Sequence, residues 1–419
     1  MSTSTGAPAR GLFGARIFLI LAAGYLMSYG LRAINATIAP ELSRELSLSN
    51  TSLGTLTSAY FIGFAAMQVP LGVFLDRFGP RRVNATLLTL AAASCAVIAV
   101  ADRLETLWVA RLVMGVGFAA GLMAPFAMFR IWFAADQQMR LAAWVLMFGT
   151  FGVMVATAPV RLVLPTLGWR GVFAACAVLL LLIAAAMWFG LPRAREPDGS
   201  ARPSFLQSLA GYGDILSNPF FWRMVMLSAA MQGTFISLQT LWLGPWFVRV
   251  LGYTPERAGE ALFVFNAMLL VAYLVNGLIA PRLAKTLAAT IRTVAFAVPI
   301  SVTILLLIAA MPQVAGLWGW LVIAVLTTVY TPVQARVAMA FPARMGGRAL
   351  TAFNLVVFSS VIVIQSLVGL LVDGLIAAGR PQVDAFRISF GVLALLQFVA
   401  WLRFITWRRV REPGVITAR

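Results

Sequence analysis

The sequence contains no histidine, one lysine and two cysteines, and only 11% of its 419 residues are charged. Without histidine, the chain has no imidazole for a metal site or a proton relay. Cys95 and Cys176 both lie in apolar runs, where a small apolar side chain acts as filler. No GxxxxGK[ST] loop is present to bind ATP. These absences argue against an enzyme, a metalloprotein and an ATP-driven pump, and no cofactor or metal is expected.

Hydrophobic residues make up 61% of the chain, and its mean hydropathy is +0.91. Apolar runs of about 18 to 23 residues recur along its length, each long enough to cross a bilayer. They predict an all-α polytopic membrane protein with twelve transmembrane helices in two six-helix bundles. The first six spans are predicted at 14–39, 52–72, 83–101, 106–130, 142–164 and 171–191. The second six are predicted at 220–246, 258–280, 293–311, 316–336, 350–372 and 387–406.

Residues 192–218 are rich in Arg, Pro, Gly and Ser and predict a cytoplasmic linker. The linker would join an N-terminal six-helix bundle, 1–191, to a C-terminal one, 219–419. The net charge is +18, but the basic residues concentrate in alternate loops, as the positive-inside rule requires. We therefore expect a multi-pass protein of a bacterial inner membrane with both termini in the cytoplasm. The net positive charge is therefore no reason to expect a nucleic-acid partner.

The two halves can be aligned with each other. Pro40 matches Pro245, Gly54 matches Gly259, and Gly72 matches Gly277, all with an offset of 205 residues. Because each half has six spans, both copies run the same way through the membrane. Such parallel repeats are related by an axis along the membrane normal, with the substrate site at the repeat interface.

The segment GVFLDRFGPRR at 72–82 resembles a loop motif of the major facilitator superfamily. RLVMGVG at 111–117 and LGWR at 167–170 are similar to weaker patterns of that family. The resemblance implies alternating access and a cytoplasmic latch formed by Gly72, Asp76, Arg77, Gly79, Arg81 and Arg82. The alternative is that these arginines only orient the loop. In the second copy of this loop motif, Pro281 replaces the aspartate. The latch is therefore expected in the first copy.

Span one carries an arginine within its apolar run. On a helix, Arg32 falls within about 120° of four other polar residues: Tyr25, Ser28, Tyr29 and Asn35. A guanidinium in hydrocarbon is costly and is tolerated where it faces water or a partner. The stripe therefore predicts either a substrate cavity or a structural role in which Arg32 extends towards the surface.

Arg111 enters span four at a similar depth, and the resemblance implies a position that often lines the cavity or takes part in proton movement. None of the fourteen acidic residues falls in the middle of a predicted span; Glu41, Glu260 and Asp373 come closest, near the outer ends. An anionic substrate would supply the negative charge that a buried arginine calls for. Cation exporters usually need a carboxylate within the membrane, which the predicted spans lack.

The second half offers neutral polar residues. They lie on spans seven, eight and eleven: Gln232, Gln239, Asn266, Tyr273, Asn354 and Gln365. They would either bind substrate hydroxyls or form hydrogen bonds between helices.

The leading interpretation is a secondary transporter that imports or exchanges a small organic anion, such as a carboxylate, as a monomer in the bilayer. Proton-driven efflux of a drug or metabolite is the alternative. A sensor that binds a ligand without carrying it is the third.

Overall fold

A computed structural model describes residues 11–192, 212–283, 286–341 and 343–407, which fold into helices without a strand. The helices of the first half are α1 Gly11–Ala33, α2 Asn35–Leu46, α3 Asn50–Phe78, α4 Pro80–Val100, α5 Leu104–Phe118, α6 Met123–Trp132, α7 Ala135–Val155 and α8 Ala158–Gly190. Those of the second half are α9 Pro219–Ser237, a π-helical turn Leu238–Trp242, α10 Leu243–Arg249, α11 Pro255–Leu283, α12 Leu287–Ala310, α13 Pro312–Thr328, α14 Thr331–Ala340, α15 Ala343–Ala377 and α16 Gln382–Thr406.

The predicted fold class is confirmed, since each of the twelve predicted spans falls on helix. Among the described residues, nine helices are long and apolar enough to cross a membrane, and Trp144–Val155 and Pro312–Thr328 are shorter apolar helices. Side chains such as Phe189 and Leu162 are 83% and 80% exposed. Such exposure of large apolar side chains suits contact with lipid.

Five of the twelve predicted spans are interrupted, span five by a turn at residues 156–157 between α7 and α8. Span one breaks at Ile34, between α1 and α2, and span four breaks between Phe118 and Met123. Span seven contains the π-helical turn, and span ten breaks between Thr328 and Thr331. The other four interruptions recur at every third span, and Gln239 in the π-helical turn lies 205 residues after Ile34. This spacing equals the offset of the internal repeat, so the two halves share an irregularity as well as a sequence pattern.

The chain divides into two compact units. The first comprises residues 1–34 and 62–203, and the second comprises 35–61 and 204–419. The hairpin 35–61, formed by α2 and the first part of α3, therefore groups with the C-terminal helices. The linker expected at 192–218 lies mostly outside the described residues, and the sequence boundary between the bundles stays a prediction.

Close helix packing in the first unit depends on glycines. A Cβ atom on Gly63 would collide with the backbone carbonyl of Leu112, so α3 and α5 approach each other through this glycine. Gly152 lies equally close to the carbonyl of Leu26, which brings α7 against α1. Small residues allow this approach where no hydrophobic effect drives helices together within lipid.

The core of the second unit is aromatic. Trp246 stacks on Phe390 with ring centroids 4.4 Å apart, and Trp320 meets both rings edge-on. Trp242 contacts Phe386 at 6.2 Å. These rings join α10, α13 and α16 to the π-helical turn and thereby fix its position.

Candidate substrate-binding sites

Arg32 lies in the last turn of α1, where its guanidinium is held between aromatic rings. Its Cζ atom is 4.5 Å from the ring centroid of Tyr29 and 5.0 Å from that of Phe64 on α3. The residue is 8% exposed. Cation–π contacts stabilise a guanidinium by about 0.5–2 kcal/mol, more where water is excluded. The planar edge of a guanidinium matches a planar acceptor such as a carboxylate.

Arg111 lies on α5 and reaches the helix break of span one. Its Nη1 atom donates a hydrogen bond of 3.0 Å to the carbonyl oxygen of Leu31, the neighbour of Arg32. Carbonyl groups in the last turn of a helix lack their helical partners and need another donor. The guanidinium also lies 5.1 Å from the ring centroid of Phe173. Arg111 thus stabilises the end of α1 from which Arg32 projects.

The buried charge of the protein is positive. Among the side chains whose burial the structure describes, the buried charged groups are both arginines, Arg32 and Arg111, the latter 3% exposed. Of the three acids predicted to come closest to the middle of a span, Glu41 and Asp373 are half-buried and Glu260 is exposed. Both arginines belong to the first unit. Arg32 lies beside the break at Ile34, and Arg111 reaches the same break through its hydrogen bond to the Leu31 carbonyl.

Two tyrosines adjoin Arg32 on α1. The ring centroids of Tyr25 and Tyr29 lie 4.7 Å apart, so the predicted stripe forms one aromatic surface. Tyr25 is buried and fits against Gly149 of α7, where a Cβ atom would collide with its ring. Tyr29 is half-buried and contacts Arg32 directly. Three of the predicted binding residues, Tyr25, Tyr29 and Arg32, are therefore brought together.

Asn35 lies directly after the helix break. Its side chain is buried and donates a hydrogen bond of 2.8 Å from Nδ2 to the Oγ1 atom of Thr57 within the 35–61 hairpin. A turn at Ile34 separates α1, which carries Arg32, from α2, which begins at Asn35. Asn35 belongs to the second compact unit.

A neutral polar cluster surrounds the π-helical turn of the second unit. Gln239 donates from Nε2 to Oδ1 of Asn266 at 2.8 Å, and Gln365 donates from Nε2 to Oγ1 of Thr240, also at 2.8 Å. Asn266 is 1% exposed and Gln365 is fully buried. π-Helical turns occur frequently at functional sites because they re-aim side chains. Here the turn directs two consecutive polar residues at partners on different helices.

The remaining predicted residues of this half are more dispersed. Asn354 accepts a hydrogen bond of 2.9 Å from Nε2 of Gln334. Gln232 is half-buried on α9, and Tyr273 on α11 is 39% exposed. The polar cluster thus brings together Gln239 and Asn266 directly, and links Gln365 to the same turn through Thr240.

Several residues of these sites were not anticipated. Phe64 and Phe173 complete the surroundings of the two arginines, and Thr240 and Gln334 pair with predicted amides. Thr240 adjoins Gln239, and a search for polar pairs on span seven would have found it. The phenylalanines give no such signal, because apolar residues occupy lipid-facing and buried faces alike.

Comparison with known proteins identifies the family. The model of the Major Facilitator Superfamily matches residues 21–366. The chain belongs to the Major Facilitator Superfamily. A probable nitrate/nitrite antiporter of Thermus thermophilus is 28% identical over 246 residues, which cover 55% of this chain and 53% of the antiporter. The match thus spans about half of that relative's length.

Two further similarities extend over most of the chain. A gentisate transporter of Corynebacterium glutamicum is 27% identical over 91% of this chain and 84% of its own length. Among solved structures, a D-xylose-proton symporter superposes with a TM-score of 0.76 at 16% identity, covering 96% of this chain and 99% of the symporter. Major facilitator proteins of this kind are multi-pass membrane transporters of small molecules, and this chain shares their family and fold.

The loop motif of the superfamily has a defined geometry here. Gly79 adopts φ +78°, a left-handed conformation that favours glycine, between the ends of α3 and α4. Arg81 donates from Nη1 to the carbonyl oxygen of Leu191 at 3.0 Å, which holds the end of α8. Arg77 and Arg82 are exposed, and Gly72 has open space around it. The side chain of Asp76 lies outside the described residues, so the predicted cytoplasmic latch stays a prediction.

The weaker LGWR motif also has a structural explanation. Gly168 adopts φ +62° at the kink within α8, and Arg170 donates from Nη2 to the carbonyl oxygen of Ala101 at 3.0 Å. The same guanidinium lies 4.1 Å from the ring centroid of Trp169. Arg170 thus binds the C-terminal end of α4, where a cation stabilises the helix dipole.

Proposed function

We propose that this protein is a secondary active transporter that moves a small organic anion, such as a carboxylate, across a bacterial inner membrane by alternating access. Arg32 would bind the anionic group, with Tyr25 and Tyr29 against the body of the solute. Arg111 would position Arg32 and add positive potential. The single observation that carries this proposal is that the buried charged groups of the described residues are two arginines at one helix break.

The chemistry of the arginine site supports an anion over a cation. Two guanidinium groups in a medium of low dielectric constant raise the cost of bringing in a further cation and lower that of an anion. The planar donors of arginine match the two oxygens of a carboxylate or nitrate. Conversion of this potential into transport requires no titratable residue, because one anion can exchange for another.

The polar cluster of the second unit supports an organic solute. The side chains of Gln239, Thr240, Asn266 and Gln365 offer amide and hydroxyl groups, which recognise hydroxyl or carbonyl groups of a ligand. Their π-helical turn occupies the position in the second repeat that the arginine-bearing break occupies in the first. Interrupted helices at equivalent positions of two repeats are typical of transporter binding sites.

Two of the relatives reported above are named for anions. The names of the relatives reported above specify nitrate or nitrite in one case and gentisate, an aromatic carboxylate, in the other. Their identities of 27–28% support a negatively charged solute as a class without choosing among such solutes. The positive-inside distribution of arginine supports cytoplasmic termini, and we retain a monomer as the functional unit.

A thermal-shift panel on the purified protein tests this function. The panel contains benzoate, gluconate, methanesulfonate, nitrate and phosphate, with tetraphenylphosphonium as a cation and sodium chloride at matched ionic strength as the control. We expect at least one anion to raise the Tm, because a ligand at 100 times its Kd stabilises the folded state by about 2.7 kcal/mol. A panel in which only the cation stabilises the protein would favour efflux of cations and contradict the proposal.

A further inference from the structure

We propose that Asp373, Asn50 and Arg249 form a latch that holds the 35–61 hairpin against α15 and releases it during transport. The name hairpin latch refers to these three residues below. The proposal deepens and rests on the transport function proposed above, because an alternating-access cycle requires the hairpin to leave the C-terminal helices. With the termini in the cytoplasm, the hairpin turn lies on the outer face, opposite Gly79.

Asp373 binds the N-terminal end of α3 through three hydrogen bonds. Its Oδ1 atom accepts from the backbone N–H of Asn50 at 3.2 Å and from Nδ2 of Asn50 at 2.7 Å. Its Oδ2 atom accepts from the backbone N–H of Thr51 at 2.6 Å. A carboxylate at a helix N-terminus is stabilised both by these unpaired N–H groups and by the helix dipole. The acid and its partner are 323 residues apart in the chain.

Helix α3 has a separate local cap, so Asp373 is not needed to begin the helix. The Oγ atom of Ser49 accepts from the backbone N–H of Ser52 at 3.0 Å, as an N-cap serine does. The carboxylate of Asp373 therefore contributes attachment between two distant segments. Such an attachment can break without loss of the helix.

Arg249 completes the latch from a third segment. Its Nη1 atom donates to Oδ1 of Asn50, while Nδ2 of the same amide donates to Asp373. The amide thus connects a cation on α10 to an anion on α15. Arg249 also lines a cavity of about 420 Å³ together with Pro40, Arg44 and Pro245.

Three glycines shape the surface beneath the latch. A Cβ atom on Gly369 of α15 would lie 2.5 Å from the carbonyl oxygen of Asn50. On the hairpin, a Cβ atom on Gly54 would lie 2.6 Å from the carbonyl oxygen of Gln365. Gly244 of α10 lies as closely against the carbonyl of Ala36. The hairpin backbone therefore lies directly against its partners, beside side-chain contacts such as Phe61–Phe358 and Ser58–Ser366.

The accessibility of a cysteine beneath the hairpin tests the latch. Ser58 is 2% exposed, and its Oγ atom contacts Ile362 and Ser366 of α15. In a background with Cys95→Ala and Cys176→Ala, a Ser58→Cys protein is alkylated with N-ethylmaleimide in detergent. We expect Asp373→Asn to raise the alkylation rate about tenfold, because it weakens charge-assisted hydrogen bonds to the hairpin. Gly369→Ala should act in the same direction by steric collision.

Two matched variants serve as controls. Asp384→Asn removes an aspartate that pairs with Arg387 on α16, and Gly374→Ala adds a Cβ atom on α15 where nothing lies within 4 Å. Both should leave the alkylation rate unchanged. Equal rates in Asp373→Asn, Gly369→Ala and the parent would overturn the latch. If the variants do not fold, hydrogen exchange of the parent decides: amides of Asn50 and Thr51 that exchange without protection overturn it as well.

The outcomes separate the latch from the proposed function. Anion binding with unchanged alkylation in Asp373→Asn would retain the transport function and reject the latch. Increased alkylation without stabilisation by any anion of the panel would retain the latch and reject the anion specificity.

Discussion

Replacement of Arg32 by alanine is expected to lower the affinity for the stabilising anion by a factor on the order of 100. Truncation of one partner of a buried charge pair costs about 2–5 kcal/mol, and Arg32 is the buried guanidinium at the end of α1. Arg32→Lys should restore part of the affinity, since lysine keeps the charge but not the planar pair of donors. Isothermal titration calorimetry with the anion identified by thermal shift measures both effects.

Arg16→Ala is the matched control for this experiment. Arg16 lies on the same helix, is exposed, and has its Cζ atom 5.6 Å from the ring centroid of Phe13. The Arg16→Ala substitution removes one positive charge from α1 without changing the predicted site. The affinity for the anion should therefore stay within about twofold of the parent. An equal loss of affinity in Arg16→Ala and Arg32→Ala would attribute the effect to net charge and contradict a specific role for Arg32.

Gly63→Ala is expected to destabilise the protein, whereas Gly72→Ala on the same helix is not. A Cβ atom at position 63 would collide with the Leu112 carbonyl, while position 72 has open space. Overpacking costs about 1–3 kcal/mol, whereas alanine in place of glycine on an open helical surface gains up to about 1 kcal/mol. The Tm of each variant, measured in detergent by intrinsic fluorescence, should therefore fall for Gly63→Ala and be equal or higher for Gly72→Ala.

The same substitution should also affect the binding site. Leu112 follows Arg111 on α5, so a displacement of this helix moves the donor that holds the Leu31 carbonyl. Gly63→Ala should accordingly weaken anion binding as well as lower the Tm. A Gly63→Ala protein as stable as Gly72→Ala would show that α3 and α5 are not in the close contact described here.

The sequence was sufficient to predict the spans and the arginines. Apolar runs set the helices, because the bilayer requires about 20 residues per span, and Arg32 stands out in such a run because its burial is costly. The resemblance of 72–82 to the loop motif indicated the family, which the family comparison confirms. These features depend on local composition, which can be determined from a single sequence.

The helix breaks were not predictable in the same way. Gly30 lies four residues before Ile34 and Pro40 six residues after it, so neither residue marks the position of the break. The break is held by Arg111 on α5 and by the hydrogen bond from Asn35 to Thr57, both tertiary contacts. A helical wheel assumes a continuous helix, so it cannot reveal the turn at Ile34.

The aromatic partners of the two arginines and the hairpin latch could not be predicted from the sequence either. Phe173 is 1% exposed and Phe189 is 83% exposed on the same helix. In a soluble protein, such a difference in exposure follows the pattern of polar and apolar residues. In a membrane protein, the buried face and the lipid-facing face of a helix are both apolar. Asp373 was recognised only as an acid near the end of a span. Its bond to Asn50 joins residues too far apart in sequence for periodicity to reveal.

Counterflow in proteoliposomes tests the central claim most directly. Vesicles containing the protein are loaded with the unlabelled anion that gives the largest thermal shift and are diluted into a trace of the same labelled anion. We expect transient accumulation of the label in vesicles with the parent protein, its absence in those with Arg32→Ala, and its retention in those with Arg16→Ala. Accumulation of labelled tetraphenylphosphonium but of no anion, unaffected by Arg32→Ala, would contradict the account.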